Sequence, residues 1–182
     1  NGSDPLQADS KGNTALHHLA AKLNADEKAK ELFKFFLNSG VDINARNKKG
    51  NTPLFKYTKH VSSSSYSYWI NPGEGFSDPI FDLFQKSGAN FFARNDAGSS
   101  LLHVLASQKV PMNMLQGRKK GIIYDLVERF KFLTALGLDP MAEDARQRTS
   151  LDVAAACGSE HILKLFERKP MEERICLSLE LE

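Results

Sequence analysis

Hydrophobic and polar residues follow one another along this chain in a pattern that returns four times. The clearest copy is residues 40–54. Gly40 follows an apolar stretch and can end a helix by adopting a positive φ. The polar cluster Arg46–Gly50 is typical of a tight turn, and Thr52 can cap a new helix with Pro53 at its first position. The pattern therefore predicts a unit of helix end, short finger, turn and helix start.

The same unit recurs at 2–16, 88–102 and 137–151. In the last copy Gln147 stands where the other copies have the turn glycine. Before each closing glycine, apolar residues spaced i, i+1, i+3 and i+4 predict a second helix. One finger with two short helices cannot bury its own apolar side chains, so neighbouring units are expected to stack.

With the copies aligned, the chain resembles an ankyrin-repeat array. The family's Thr-Pro-Leu-His-like signature appears as Thr14-Ala15-Leu16-His17, Thr52-Pro53-Leu54-Phe55, Ser100-Leu101-Leu102-His103 and Thr149-Ser150-Leu151-Asp152. The resemblance covers nearly the whole chain. It implies an all-α fold, an ankyrin-repeat solenoid of helix pairs linked by short β-hairpin-like fingers, whose fingers and first helices form a concave face.

The chain departs from the family pattern in its spacing. The family repeat is about 33 residues long, whereas Gly12, Gly50 and Gly98 are 38 and 48 residues apart and Gln147 follows 49 residues later. The additional residues lie between the two helices of a repeat, at the end away from the fingers.

Two of the four signatures also lack the family's histidine at the start of the helix. Phe55 and Asp152 replace it, so the hydrogen bond that this histidine makes between repeats is not expected there. Asp152 is instead placed to form a capping box with Thr149.

The organisation predicted from these copies is one ankyrin-repeat domain over residues 1–182. Since the chain opens inside a finger, we expect a fragment of a longer array. The C-terminal residues alternate between apolar and polar, as in a strand, and are interpreted as a cap or a linker. The predicted segments are an incomplete finger at 1–11, repeats at about 12–49, 50–97, 98–146 and 147–169, and the C-terminal segment 170–182.

Composition adds a few limits. Of the 182 residues, 41% are hydrophobic and 25% are charged, which is typical of a globular chain, and a net charge of +2 does not by itself indicate a polyanionic partner. Cys157 and Cys176 lie far apart without metal-ligand spacing. Neither a signal peptide nor a long apolar run is present. We therefore expect an intracellular protein, cytoplasmic or nuclear, without membrane contact.

The candidate chemical residues favour structure over catalysis. His17 and His103 occupy the helix-start position that is structural in the family, and His18 has no cysteine or carboxylate at ligand spacing. The chain contains no phosphate-binding loop, no nucleophile elbow and no recognisable carboxylate pair. We expect no catalytic residue, no cofactor and no metal.

A basic segment is the first candidate binding feature. Residues 43–73 contain no acidic residue, and their cations lie on a finger or on the helix that follows it. Such a patch can hold an acidic or phosphorylated peptide, although solvated surface lysines are the alternative. Nucleic acid is the weaker interpretation because no aromatic stacking motif accompanies the cations, which are Arg46, Lys48, Lys49, Lys56 and Lys59.

An aromatic cluster is the second candidate. Tyr68 and Trp69 lie in a long insertion at 60–77, beside Ser, Gly and Pro residues. Such rings either contact a partner or anchor the insertion against the helices. A second insertion, at 108–121, carries another short basic run.

These patterns predict a monomeric, non-catalytic module that binds a partner protein or peptide on its concave face. The partner is expected to carry an acidic or phosphorylated segment. The alternatives are a regulatory or substrate-recruiting domain of a larger enzyme and, less favoured, a nucleic-acid-binding surface. The predicted partner-binding residues are Lys11, Asn13, Arg46, Lys48, Lys49, Asn51, Lys56, Tyr68, Trp69, Arg94, Asp96, Ser99, Glu143, Asp144, Arg146 and Arg148.

Overall fold

The computed structural model describes residues 6–23, 27–59, 70–71, 75–76, 78–110 and 116–167. Apart from one short strand pair, the regular structure in these ranges is α-helical. Its helices are α1 (Ala15–Ala20), α2 (Glu27–Asn38), α3 (Pro53–Lys59), α4 (Pro79–Lys86), α5 (Leu101–Ala106), α6 (Gln116–Ala135), α7 (Ser150–Cys157) and α8 (Glu160–Leu163).

The strands β1 (Ile70–Asn71) and β2 (Gly75–Phe76) pair antiparallel within the predicted insertion 60–77, with Ile70 opposite Phe76. The predicted residues Tyr68 and Trp69 lie outside the described residues, as do 1–5 and 168–182. The contact or anchoring role of the two rings, the start of the first finger and the C-terminal cap or linker therefore stay predictions.

The first helix of each unit packs against the first helix of the next. α1 contacts α3, α3 contacts α5 and α5 contacts α7, while α2 packs on α1, α6 on α5 and α8 on α7. Leu16, Leu54 and Leu102, which occupy matching positions at the start of α1, α3 and α5, are at most 1% exposed. Neighbouring units therefore bury each other's apolar residues, as their short helices require.

Aromatic rings fill the space between the second helices. Phe33 of α2 meets Phe84 of α4 edge to face, with ring centroids 5.1 Å apart, and Phe81 of α4 stacks on Phe132 of α6 at 5.6 Å. Full burial of a side chain of this kind stabilises a fold by roughly 1.5–3 kcal/mol. These pairs make the second helices part of the same core.

Helix α6 begins earlier than the repeat pattern indicates. The sequence assigns 108–121 to an insertion, whereas α6 starts at Gln116 and includes the basic run 118–120 in its first turns. The early start has a local cause: residues 116–121 contain no proline, and lysine and arginine favour helices. No helix in the described part of the chain is both long and apolar enough to cross a membrane.

A charged cluster is buried where α3, α4 and α6 meet. Arg129 of α6 is fully buried beside Asp125, Asp78 and Tyr57. Asp78 also caps α4 by accepting the backbone N–H groups of Ile80 and Phe81. Burial raises the pKa of the Asp125 carboxyl, although the Arg129 guanidinium acts in the opposite direction.

Candidate functional site

Each finger is closed by one Asp or Asn side chain that accepts two backbone N–H groups of its own turn. In the second finger the Oδ1 atom of Asn47 accepts from Lys49 at 3.0 Å and from Asn51 at 3.1 Å. Asp9, Asn95 and Asp144 do the same in the other three fingers. Such side-chain turns place the following residues in one repeated conformation.

Backbone hydrogen bonds join successive fingers in a constant register. The N–H of Lys48 donates to the carbonyl of Lys11 at 3.0 Å, and the N–H of Asp96 donates to the carbonyl of Lys49 at 3.2 Å. A third bond of the same kind joins the third and fourth fingers. The register brings equivalent residues of neighbouring fingers side by side.

Two of the predicted partner-binding residues are used in side-chain contacts between fingers. The Nδ2 atom of Asn47 donates to the Oδ1 atom of Asn13 at 2.8 Å in a buried contact, and Asn95 donates to Asn51 at 3.0 Å. Asn13 is 6% exposed. Its side chain therefore contributes to the contact between fingers.

The arginines of the fingers also connect one finger to the next. Arg46 donates to the Arg94 carbonyl at 2.6 Å and to the Asp96 carboxylate at 2.8 Å. Arg94 in turn donates to the carbonyl of Glu143 at 2.6 Å. Both arginines remain exposed, but some of the N–H groups of each guanidinium already donate to the next finger.

Asp144 and Arg148 form an ion pair within the fourth finger. The Arg148 guanidinium donates to the Asp144 carboxylate at 2.7 and 3.2 Å, and the backbone N–H groups of Arg146 and Arg148 also donate to it. These bonds, that of the guanidinium first, lower the pKa of Asp144 to about 2. Asp144 is thus a buried structural anion, whereas Arg146 is exposed.

The helix-start histidines connect repeats. The Nδ1 atom of His17 accepts the Thr14 N–H at 3.1 Å, so its proton is on Nε2, which donates to the carbonyl of Asn51 at 2.8 Å. Burial lowers the pKa of His17 and keeps the ring neutral. His103 makes the equivalent contact with the carbonyl of Arg148 at 2.9 Å. The structural interpretation of these histidines is confirmed.

A hollow of about 290 Å³, the first hollow, opens between the second, third and fourth units. Its cationic lining comes from Lys49 of the second finger, Lys56 and Lys59 one turn apart on α3, and Arg148 of the fourth finger. Further lining residues are Asn51, Phe55, Asn95, Ser99, His103, Val104, Ser107 and Val153.

A second hollow, of about 420 Å³, adjoins the first between the first and second fingers. Lys11 and Lys48 line it, and Lys49 and Lys56 line both hollows. We name the two hollows with Lys11, Lys48, Lys49, Lys56 and Lys59 the lysine groove.

The family comparison can now be set beside this geometry. Residues 11–48, from the first turn to the tip of the second finger, match the family model of the ankyrin repeat. This segment of the chain is an ankyrin repeat. Ankyrin repeats are generally non-catalytic modules for protein–protein interaction. No curated protein sequence matches this one.

Charge is distributed unevenly over the four fingers. Within the described ranges, none of the five lysine side chains of the lysine groove forms a hydrogen bond or an ion pair. The finger carboxylates are occupied in contrast: Asp9 by Asn13 and His18, Asp96 by Arg46, and Asp144 by Arg148. The net charge of +2 therefore conceals a local excess of positive charge.

The ankyrin signature alone did not lead to every residue of the groove. Lys59, Phe55 and Val104 line the first hollow but were not among the predicted partner-binding residues. Helical spacing was the available signal, because Phe55, Lys56 and Lys59 fall on one side of α3. Val104 offered no such signal, since it reaches the hollow from the next repeat.

Proposed function

We propose that this ankyrin-repeat chain is a non-catalytic interaction module that binds an anionic segment of a partner protein along the lysine groove. In this proposal the repeats stack as a short solenoid at about 12–49, 50–97, 98–146 and 147–169, with fingers and first helices on one concave face. The observation that carries it is the row of five lysines that have no bonded partner in the part of the chain the structure describes, beside carboxylates that are already bonded.

Electrostatic complementarity explains why such a surface favours an acidic segment. An exposed lysine already paired with a carboxylate gains little from a second anion, whereas an unpaired ammonium meets no internal competitor. Lys49 and Lys56 border both hollows and are the central contacts of the proposed interface. Arg46, Arg94 and Asp96 have the secondary role of holding the fingers in register.

The test is a charge reversal at the two shared lysines. Partners are captured from nuclease-treated lysate with the wild-type chain, with Lys49→Glu/Lys56→Glu, and with the control Lys34→Glu/Lys86→Glu, whose exposed lysines lie on second helices. We expect a protein retained by wild type and control and lost by the groove variant. With that protein purified, the groove variant should bind at least about tenfold more weakly, or roughly 1.4 kcal/mol.

Two controls make the result specific. Thermal unfolding of all three chains should be alike, because none of the replaced side chains is paired within the described residues; Lys34, Lys49 and Lys86 are exposed and Lys56 is half-buried. Affinity of the wild type should fall as salt is raised, as expected for a charged interface. Equal capture by wild type and groove variant would contradict the proposal.

A further inference from the structure

We infer that the first hollow is a subsite for one phosphorylated side chain of the partner. This inference rests on the proposed function and adds to it the chemical nature of the anion. A segment with several carboxylates would bind cations that are spread along the groove. The first hollow instead brings several cations together around one space.

The concentration of cations is the first observation. Lys49, Lys56, Lys59 and Arg148 border a single space of about 290 Å³. Among the described residues, Arg148 alone of these four is bonded to a carboxylate, that of Asp144. A phosphoryl group carries a charge of about −1.5 to −2 with three strong acceptor oxygens, whereas a carboxylate carries −1 with two. The hollow therefore matches a dianion better.

Neutral donors beside the cations are the second observation. Ser99 and Asn51 line the hollow, and the Ser99 hydroxyl and the Asn51 amide Nδ2 make no hydrogen bond to the described residues. The other end of the Asn51 amide, Oδ1, is held by Asn95 at 3.0 Å. That bond fixes which end of the amide is available, and the available end is a donor. Since the oxygens of an ionised phosphate only accept hydrogen bonds, these donors complement it.

Apolar residues in the lining are the third observation. Phe55, Val104 and Val153 contribute carbon surface to the hollow. They can contact the carbon atoms of a side chain whose phosphate meets the surrounding cations. Phe55 is only 3% exposed and offers no ring face for a base to stack on, which argues against single-stranded nucleic acid.

The experiment uses two small anions with the same ring, phenyl phosphate and benzoate. Each is titrated into the ¹⁵N-labelled chain at constant ionic strength, and the backbone amide shifts are followed. We expect phenyl phosphate to move the amides of Lys49, Asn51 and Ser99 in a saturable manner at millimolar concentration, and to bind at least fivefold more tightly than benzoate.

Matched variants locate the site. Lys56→Gln/Lys59→Gln should lower the affinity for phenyl phosphate at least fivefold, while Lys34→Gln/Lys86→Gln should leave it unchanged. Arg148 is not replaced, because its ion pair with Asp144 belongs to the fourth finger. Shifts that appear elsewhere, or that persist in the first variant, would overturn the inference.

The outcomes separate this inference from the proposed function. If benzoate and phenyl phosphate bind equally, or if neither binds, the phosphate subsite is refuted, and the capture experiment with Lys49→Glu/Lys56→Glu still decides whether the groove binds a protein. As a direct check, peptide mixtures with a central phosphoserine, phosphothreonine or phosphotyrosine should bind more tightly than mixtures with a central glutamate. Equal binding of the glutamate peptides would also overturn the subsite.

Discussion

The Nη2 atom of Arg129 lies 3.2 Å from Oδ2 of Asp78, and each side chain is only 1% exposed. The hydroxyl of Tyr57 donates to Asp78 at 2.9 Å and accepts from Arg129 at 3.1 Å, while Nε of Arg129 donates to Asp125 at 3.1 Å. The guanidinium also lies 4.9 Å from the centre of the Tyr57 ring. One buried cluster thus connects α3, α4 and α6.

Replacing Arg129 by methionine should destabilise the chain strongly. The variant leaves the carboxylates of Asp78 and Asp125 buried without their cation, so we expect the free energy of unfolding to fall by roughly 3–5 kcal/mol. Urea denaturation followed by circular dichroism measures the change. Lys131→Met is the control on the same helix, because it removes only an exposed pair with Glu128 and should cost about 1 kcal/mol or less. Equal losses for the two variants would contradict the assignment.

Replacing Tyr57 by phenylalanine tests the hydroxyl alone. The ring keeps its edge-to-face contact with Phe81 at 5.5 Å, but Asp78 loses a donor and Arg129 loses an acceptor. We expect a loss of roughly 1–3 kcal/mol in the free energy of unfolding. For the double variant Tyr57→Phe/Arg129→Met, the loss in free energy of unfolding should be smaller than the sum of the losses of the two single variants, because the two residues share one network. Strict additivity would argue that the two residues act independently.

The Asp144–Arg148 pair should give a pH dependence in the acid range. Because the pKa of Asp144 is lowered from 3.8 to about 2, its contribution to stability is present above pH 3.8 and is lost as the pH falls towards 2. The difference in urea midpoint between wild type and Asp144→Asn should therefore shrink over this interval. Arg148→Met leaves the Asp144 carboxylate with only its backbone donors, so its pKa should rise. The loss of stability should then occur at higher pH. Parallel curves for wild type and Asp144→Asn would exclude the linkage.

Gln147 is a site where a single change should stabilise the chain. Among the described residues it is the one non-glycine residue with a positive φ, +57°, and it occupies the position held by Gly50 in the second finger. Because a side chain is disfavoured in this conformation, we expect Gln147→Gly to raise the free energy of unfolding by roughly 1 kcal/mol.

The reverse change provides the comparison for Gln147. Gly50 has φ +69°, and a Cβ atom there would meet Arg46 and Asp96. Gly50→Ala should therefore lower the unfolding midpoint, through both the strained backbone and the crowded contact between fingers. Thermal denaturation measures both variants. A lower unfolding midpoint for Gln147→Gly would show that the positive φ of Gln147 does not destabilise the chain.

Local features of the fold followed from the sequence because their causes lie within a few neighbouring residues. Gly40, Gly88 and Gly137 have positive φ at the helix ends where the pattern placed them. Asp152 accepts hydrogen bonds from both the backbone N–H and the hydroxyl of Thr149, which confirms the predicted capping box. Backbone strain, capping and apolar spacing are short-range properties, so a sequence displays them directly.

The candidate site was predictable only in part. The sequence indicated a basic segment at 43–73, and its Lys49 and Lys56 do border both hollows. Their meeting with Arg148, which lies 99 residues after Lys49 and 92 after Lys56, required the stacking of the repeats. Arg46 and Arg94 looked equally available in the sequence, yet they serve contacts between fingers.

The sequence by itself determined the repeated unit: where helices end, where turns form and where apolar spacing forms the second helices. It did not determine burial, since Leu32 and Phe35 of α2 are 44% and 57% exposed. Only the tertiary structure decided which polar side chains are consumed inside the protein and which remain for a partner. Asp125 and Arg129 are four residues apart on α6, a spacing that equally suits an exposed pair, but α3 and α4 bury them. The physical reason is range: helix and turn preferences are local energies, whereas burial and ion pairing depend on groups that only the stacked repeats bring together.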